Sequence, residues 1–149
     1  MNTKKITNVT LWANRFAAFI VFALIFTLPA LLDWYSDLLG YHPPEGDMTG
    51  VAVCFNLCAV AMLFAFWNVE KLLQNLRVQK IFVTENVRRI RRIRCCCAIV
   101  ATICLFATIF VLPMLIFSAI MAFLCLAVSV VGCVMDAAVA IREENDLTI

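Results

Sequence analysis

Cysteines are the residues of this chain best able to do chemistry, and their spacing decides which chemistry to consider. Cys54 and Cys58 are four residues apart, which places both thiols on one helical face that could hold a metal ion or a haem iron. No second ligand pair and no suitably placed histidine accompanies them. The adjacent Cys95, Cys96 and Cys97 follow a basic block, a setting in which cysteines are acylated. We expect all of these thiols to pack as small apolar side chains, without a metal or another cofactor.

Two charged residues lie inside long apolar runs. Arg15 is about one helical turn inside the first run, and Asp136 is about one turn inside the last, both measured from the same side. Because an unpaired charge at that depth is costly, we expect the two side chains to approach each other or to share water. The pair would be either a structural clamp near the membrane surface or a proton- or ion-coupled site. No further charge continues a path across the apolar region, which favours the clamp.

The segment 33–50 is acidic and contains no Lys or Arg. Its single histidine, His42, together with four acidic residues could attract a cation, although one histidine defines no site. Nowhere does the sequence bring together His, Asp, Ser and Cys in a catalytic pattern. We therefore expect a protein that is not an enzyme and has no catalytic residues.

The composition predicts an integral membrane protein. Apolar residues make up 64% and charged residues 15% of the 149 residues, whereas a soluble domain is nearer half apolar and a quarter charged. The length allows about four crossings of roughly 20 residues each. We predict an all-α membrane protein, a single membrane domain spanning residues 1–149. Its four transmembrane helices lie at about 9–32, 51–76, 85–112 and 114–140, with an outer loop at 33–50 and an amphipathic basic segment between helices two and three.

Local signals refine these helices. The nearly uncharged stretch 95–141 would be about 70 Å long as one helix, so it must turn back, and Pro113 is the expected turn. Thr84 is the expected N-cap of the basic helix. Buried polar groups are expected to form hydrogen bonds between helices. These groups are Asn56, Thr102, Thr108, Ser118 and Ser129.

Basic residues are distributed very unevenly along the chain. Eight of the twelve Lys and Arg residues lie between Lys71 and Arg94, three lie at the amino end, one is Arg142, and none lies in a loop on the other side. Because positive residues stay in the cytoplasm, both termini and the basic segment are expected there, in a multi-pass protein of the plasma membrane.

Two interpretations of the basic segment remain open. Its arginines can contact anionic headgroups of the bilayer, at about 1 kcal/mol for each basic residue near the surface. They can instead bind an acidic protein surface. Direct nucleic-acid binding is not expected, since the segment is held beside the bilayer. The residues concerned are Arg88, Arg89, Arg91, Arg92 and Arg94.

Two stretches of the chain resemble a known family. LLQNLRVQKIFVTENVRRIRRI and AIREENDLTI resemble the central segment and the carboxyl-terminal signature of a bacterial four-helix membrane family, domain-of-unknown-function family 2975. Phe82, Asn86, Val87 and Ile90 match the central motif. The ending is matched by Glu144, Asn145, Asp146, Leu147, Thr148 and Ile149. The cysteine cluster departs from the family pattern.

The resemblance implies a bacterial inner-membrane protein that is often encoded beside a small helix-turn-helix regulator of the Cro/C1 type. The basic helix and the acidic tail, with Glu144, Asn145 and Asp146, would then form one cytoplasmic face for such a partner. The alternative is a small transporter or channel acting as a homo-oligomer. Asp136 lies too near one end for the mid-membrane acid that a four-helix exporter generally needs.

Overall fold

The computed structural model describes residues 3–40, 45–78, 83–110 and 112–147, and these parts are helical apart from short turns. The helices are α1 (Thr3–Leu39), α2 (Glu45–Arg77), α3 (Thr84–Ala107) and α4 (Met114–Leu147). No strand occurs in these ranges. The expected all-helical fold with four helices is confirmed.

Three of the four helices are long and apolar enough to cross a membrane. The apolar spans are Lys5–Trp34, Gly46–Arg77 and Met114–Arg142. In α3 every window of about 18 residues, roughly the shortest length that crosses a bilayer, contains Arg91, Arg92 and Arg94, which lowers its apolar character. Large apolar side chains such as Phe16, Phe26 and Phe123 point outwards and are exposed, as expected for a protein surrounded by lipid.

Consecutive helices pack side by side in antiparallel order. α1 packs on α2, α2 on α3 and α3 on α4, while no Cα atoms of α1 and α4 in the described ranges come within 8 Å of each other. The start of α1, the end of α2, the start of α3 and the end of α4 therefore share one end of the molecule. We call this the basic end, because the arginines of α3 lie there.

The segment between α1 and α2 differs from the expected outer loop. Residues 33–50 were predicted as loop, but α1 continues to Leu39 and α2 already begins at Glu45. Gly40 ends α1 with a φ of 61°, a left-handed conformation in which glycine has no steric penalty, and its N–H bonds the Asp37 carbonyl at 3.3 Å. Acidic side chains did not prevent helix formation here because Asp and Glu near helix ends can remain in water. His42 lies outside the described residues.

The bounds of α3 also correct the sequence prediction. Val83, in extended conformation, is the N-cap, and Thr84 is the first helical residue rather than the cap. At the other end α3 stops at Ala107, and three successive i to i−3 hydrogen bonds tighten residues 108–110 into a turn. Pro113 directly precedes α4, where its missing N–H removes no helical bond.

Of the polar groups expected to bond between helices, only some do so. The Ser118 hydroxyl donates to the Ala101 carbonyl of α3 at 2.9 Å, which confirms the prediction for that residue. Asn56 is exposed. The remaining hydroxyls each donate to the backbone carbonyl four residues back, because Ser and Thr can reach that carbonyl without a partner helix. They are Thr102, Thr108 and Ser129.

Candidate functional site at the basic end

A pair of amide side chains, one of them fully buried, fixes the start of α3 against the end of α2. The Nδ2 group of Asn75 donates to Oδ1 of Asn86 at 2.7 Å. Asn86 has an exposed fraction of 0%, and the next two inward-facing residues of α3, Val87 and Ile90, are also buried. Burial of an amide is favourable only when it is hydrogen-bonded, so this pair specifies how the two helices meet.

The inward face of α3 determines where its arginines point. Because Asn86, Val87 and Ile90 face the core, Arg88, Arg91 and Arg92 lie on the opposite face and are exposed. Within the described part of the chain, Arg88, Arg92 and Arg94 form no salt bridge. The exposed guanidinium groups of Arg88 and Arg92 are therefore available to an anionic ligand or partner, whereas Arg94 is half-buried and lines a cavity between α3 and α4.

Arg89 differs from its neighbours. Its Nη2 group pairs with Glu85 one turn earlier, and its side chain is only 19% exposed. The Nε atom is buried and has no hydrogen-bond partner among the described residues. Arg89 is thus partly neutralised by its own helix and contributes less to the exposed positive charge.

Arg15 and Asp136 do not form the predicted pair. Arg15 instead donates to Oε1 of Glu70 on α2, from Nη2 at 2.7 Å and from Nε at 3.0 Å. Gln74 donates to the same oxygen at 3.3 Å. The prediction was wrong because it matched depths on α1 and α4, which do not pack on each other, whereas Glu70 lies on the adjacent helix.

Asp136 lies beside a polar cavity between α3 and α4. Its Oδ2 is 3.9 Å from Nη2 of Arg91, and both side chains are more than half exposed, so the attraction is largely screened by solvent. The cavity has a volume of about 220 Å³ and is also lined by Arg94, Ser129 and Gly132. Glu70 therefore pairs with Arg15, whereas Asp136 lies near Arg91.

A charge exchange distinguishes the observed pair from the predicted one. Arg15→Glu places a second carboxylate beside Glu70 and is expected to lower the free energy of unfolding by about 1 kcal/mol, a small effect since Arg15 is 55% exposed. Adding Glu70→Arg is expected to restore the melting temperature in detergent. Adding Asp136→Arg instead should give no recovery. Recovery of the melting temperature with Asp136→Arg, but not with Glu70→Arg, would contradict the observed pair of Arg15 and Glu70.

A second, apolar cavity of about 310 Å³ lies between all four helices. Cys54, Cys58 and Cys104 line it. No group of three His, Cys, Asp or Glu side chains in the described ranges is arranged to hold a metal ion. Cys95 is exposed, Cys96 is buried, and neither is in a disulfide.

The comparisons with known proteins add one result. A family model described as "Protein of unknown function (DUF2975)" matches residues 8–149. The chain belongs to this family. No curated protein and no solved structure matches it.

The motif residues of this DUF2975 protein now have places in the fold. Asn86, Val87 and Ile90 form the buried inner face of α3, so the central motif encodes the contact between α2, α3 and α4. Asn145, Asp146 and Leu147 continue α4 to its end, and Glu144 is exposed. Phe82, Thr148 and Ile149 lie outside the described residues.

Two contributors to the site in this DUF2975 protein were missed by the sequence reasoning. Asn75 was not singled out. It lies 11 residues before Asn86, on the other side of the connection between α2 and α3, and this spacing could have indicated the pair. Glu70 was not considered as the partner of Arg15. The shortness of the α1–α2 connection could have pointed to it, because such a connection makes the two helices neighbours.

Proposed function

We propose that this DUF2975 protein crosses the bacterial inner membrane four times, with both termini in the cytoplasm, and uses its basic end to dock a partner protein. It acts without catalysis. The observation that carries the proposal is that Arg88 and Arg92 of α3 are exposed and form no salt bridge with a described residue, and that the buried face around Asn86 holds them outward. The orientation rests on the same arginines, since basic residues stay on the cytoplasmic side.

α3 completes the fourth crossing in this proposal. Its apolar part, from Cys95 to Ala107, is about 20 Å long, and the turn at residues 108–110 lengthens it further towards the roughly 30 Å of the hydrocarbon core. Arg91, Arg92 and Arg94 would then lie at the membrane surface, with their guanidinium groups reaching the headgroups. The basic end consequently faces the cytoplasm at headgroup level.

The end of α4 supplies the second half of the docking face. Hydrogen bonds from Ser118 to Ala101 and from Cys125 to Arg94 set the register between α4 and α3. In this register the start of α3 is level with about Met135, and α4 continues for roughly 18 Å beyond it. We define the docking face as the exposed arginines of α3 together with residues 136–147 of α4.

The two halves of the docking face have opposite charge, so the partner must carry both an acidic and a basic patch. The family resemblance suggests a small helix-turn-helix regulator of the Cro/C1 type, whose DNA-binding side is generally basic and could meet the acidic end of α4. Such complementarity fixes orientation and excludes other partners. A transporter is less well supported, because the central cavity is apolar and Asp136 lies at the basic end.

Removal of residues 143–149 tests partner docking. We expect the full chain, crosslinked in native membranes and purified in mild detergent, to bring down one small partner protein that the shortened chain loses. A variant with Glu143→Gln, Glu144→Gln and Asp146→Asn is the matched control, because it removes the negative charge but keeps the length of the chain. Equal recovery of the same proteins with full and shortened chains would contradict the proposal.

A further inference from the structure

A groove on the outer surface between α2 and α3 combines charge with an apolar wall. It has a volume of about 650 Å³. On the α2 side it is lined by apolar residues at helical spacing, from Leu57 to Phe64. On the α3 side arginines occupy one end, and Cys95, Ile99 and Ile103 continue towards the other. No charged residue lines the second end among the described residues.

We infer that this groove binds one anionic phospholipid, with its phosphate at Arg88 and Arg92 and an acyl chain along Ile99 and Ile103. The distance along α3 from Arg92 to Ile103 is about 16 Å, close to half of the roughly 30 Å hydrocarbon thickness. The groove therefore extends over about one leaflet, with its charge at one end only. That is the charge distribution of a phospholipid.

Several observations favour a lipid over a protein as the occupant. Arg88 and Arg92 have no salt-bridge partner in the described ranges, so their donors are available to a phosphate. Phe64 is 44% exposed, and its ring makes an edge contact with exposed Trp67, an arrangement expected at the boundary between headgroups and chains. The apolar wall belongs to α2, a helix apolar enough to lie in the bilayer, where a soluble acidic protein does not reach.

The inference is tested by native mass spectrometry of the full chain, delipidated in mild detergent and titrated with two lipids that share the same acyl chains. Phosphatidylglycerol is expected to bind once per chain and at least tenfold more tightly than phosphatidylcholine. Arg88→Gln with Arg92→Gln should weaken phosphatidylglycerol binding about 25-fold, because each basic residue near an anionic surface contributes about fivefold. Arg88→Lys with Arg92→Lys should keep most of the affinity, since the charge is retained.

The apolar wall has its own test. Ile99 is 51% exposed, so Ile99→Trp should leave the fold intact but fill the groove and weaken lipid binding at least tenfold without changing the charge. Arg77→Gln and Leu126→Trp are matched controls, since both residues are exposed and neither lines the groove. Equal binding of the two lipids, or controls as damaging as the groove variants, would overturn the inference.

A second copy of the chain is the competing occupant. It would appear as a dimer that Ile99→Trp converts to monomer, and this outcome would also overturn lipid binding. Arg88 and Arg92 also belong to the docking face, so a bound phosphate and the acidic patch of a partner protein would compete for them. Lipid binding nevertheless needs no protein partner, and shortening α4 leaves the groove intact. The lipid experiment and the co-purification experiment can therefore fail independently.

Discussion

Asn86→Ala is expected to lower the free energy of unfolding by about 2–4 kcal/mol, a large effect for one polar residue in a protein of this size. The side chain is completely buried, so its removal leaves a cavity as well as an unpaired Asn75 amide. The start of α3 should loosen, and the arginines it carries should lose their fixed positions. Unfolding in detergent mixtures gives the free energy, and hydrogen exchange over residues 84–94 reports the loosening.

Two further variants isolate the hydrogen bond from the cavity. Asn75→Ala should cost about 1 kcal/mol, and the double variant should cost less than the sum of the single variants, because the shared bond is lost only once. Asn8→Ala, at an exposed position of α1, is the matched control and should change stability by less than about 0.5 kcal/mol. An Asn86→Ala protein as stable as this control would show that the amide pair does not join the helices.

Ser118→Leu is expected to destabilise the contact between α3 and α4 by about 1–3 kcal/mol. The Ser118 hydroxyl reaches the Ala101 carbonyl at 2.9 Å, so the two helix backbones are close together at this point. A leucine side chain there must push the helices apart or distort its neighbours. The measurement is the midpoint of unfolding in detergent.

Ser118→Ala separates packing from hydrogen bonding. It keeps the small volume and removes only a bond between helices, which in membrane proteins contributes about 0.6 kcal/mol on average. Ala122→Leu, at an exposed position one turn along α4, should be nearly neutral. If Ser118→Leu were as well tolerated as Ala122→Leu, α3 and α4 would not be in close contact at this level.

Local sequence patterns predicted the helices better than their connections. The four apolar runs correspond to the four helices, because hydropathy is a property of a short segment. The acidic segment 33–50 was nevertheless predicted as loop, although most of it is helical. The polarity of a segment indicates that it can lie in water, but it does not distinguish a loop from a helix, because a helix exposed to water is also polar.

Pairings between helices were predicted poorly. Arg15 was correctly expected to need a partner, but the partner is Glu70 and not Asp136. Similarly, the hydroxyl groups could be recognised as donors, yet only Ser118 among them was found to bond another helix. Each choice depends on which helices are neighbours, on their register and on their rotation, and these are set by packing across the whole molecule.

By itself the sequence determined that the chain is apolar enough for a membrane, that it forms four helices and that its positive charge is concentrated in one block. These properties follow from composition and order alone, because transfer of residues into lipid is close to additive along a helix. Only the tertiary structure decided that Asn86 is fully buried, that Glu70 pairs with Arg15, and that α2 and α3 enclose a groove with arginines at one end. Those features depend on distances between atoms far apart in the chain, which no local pattern specifies.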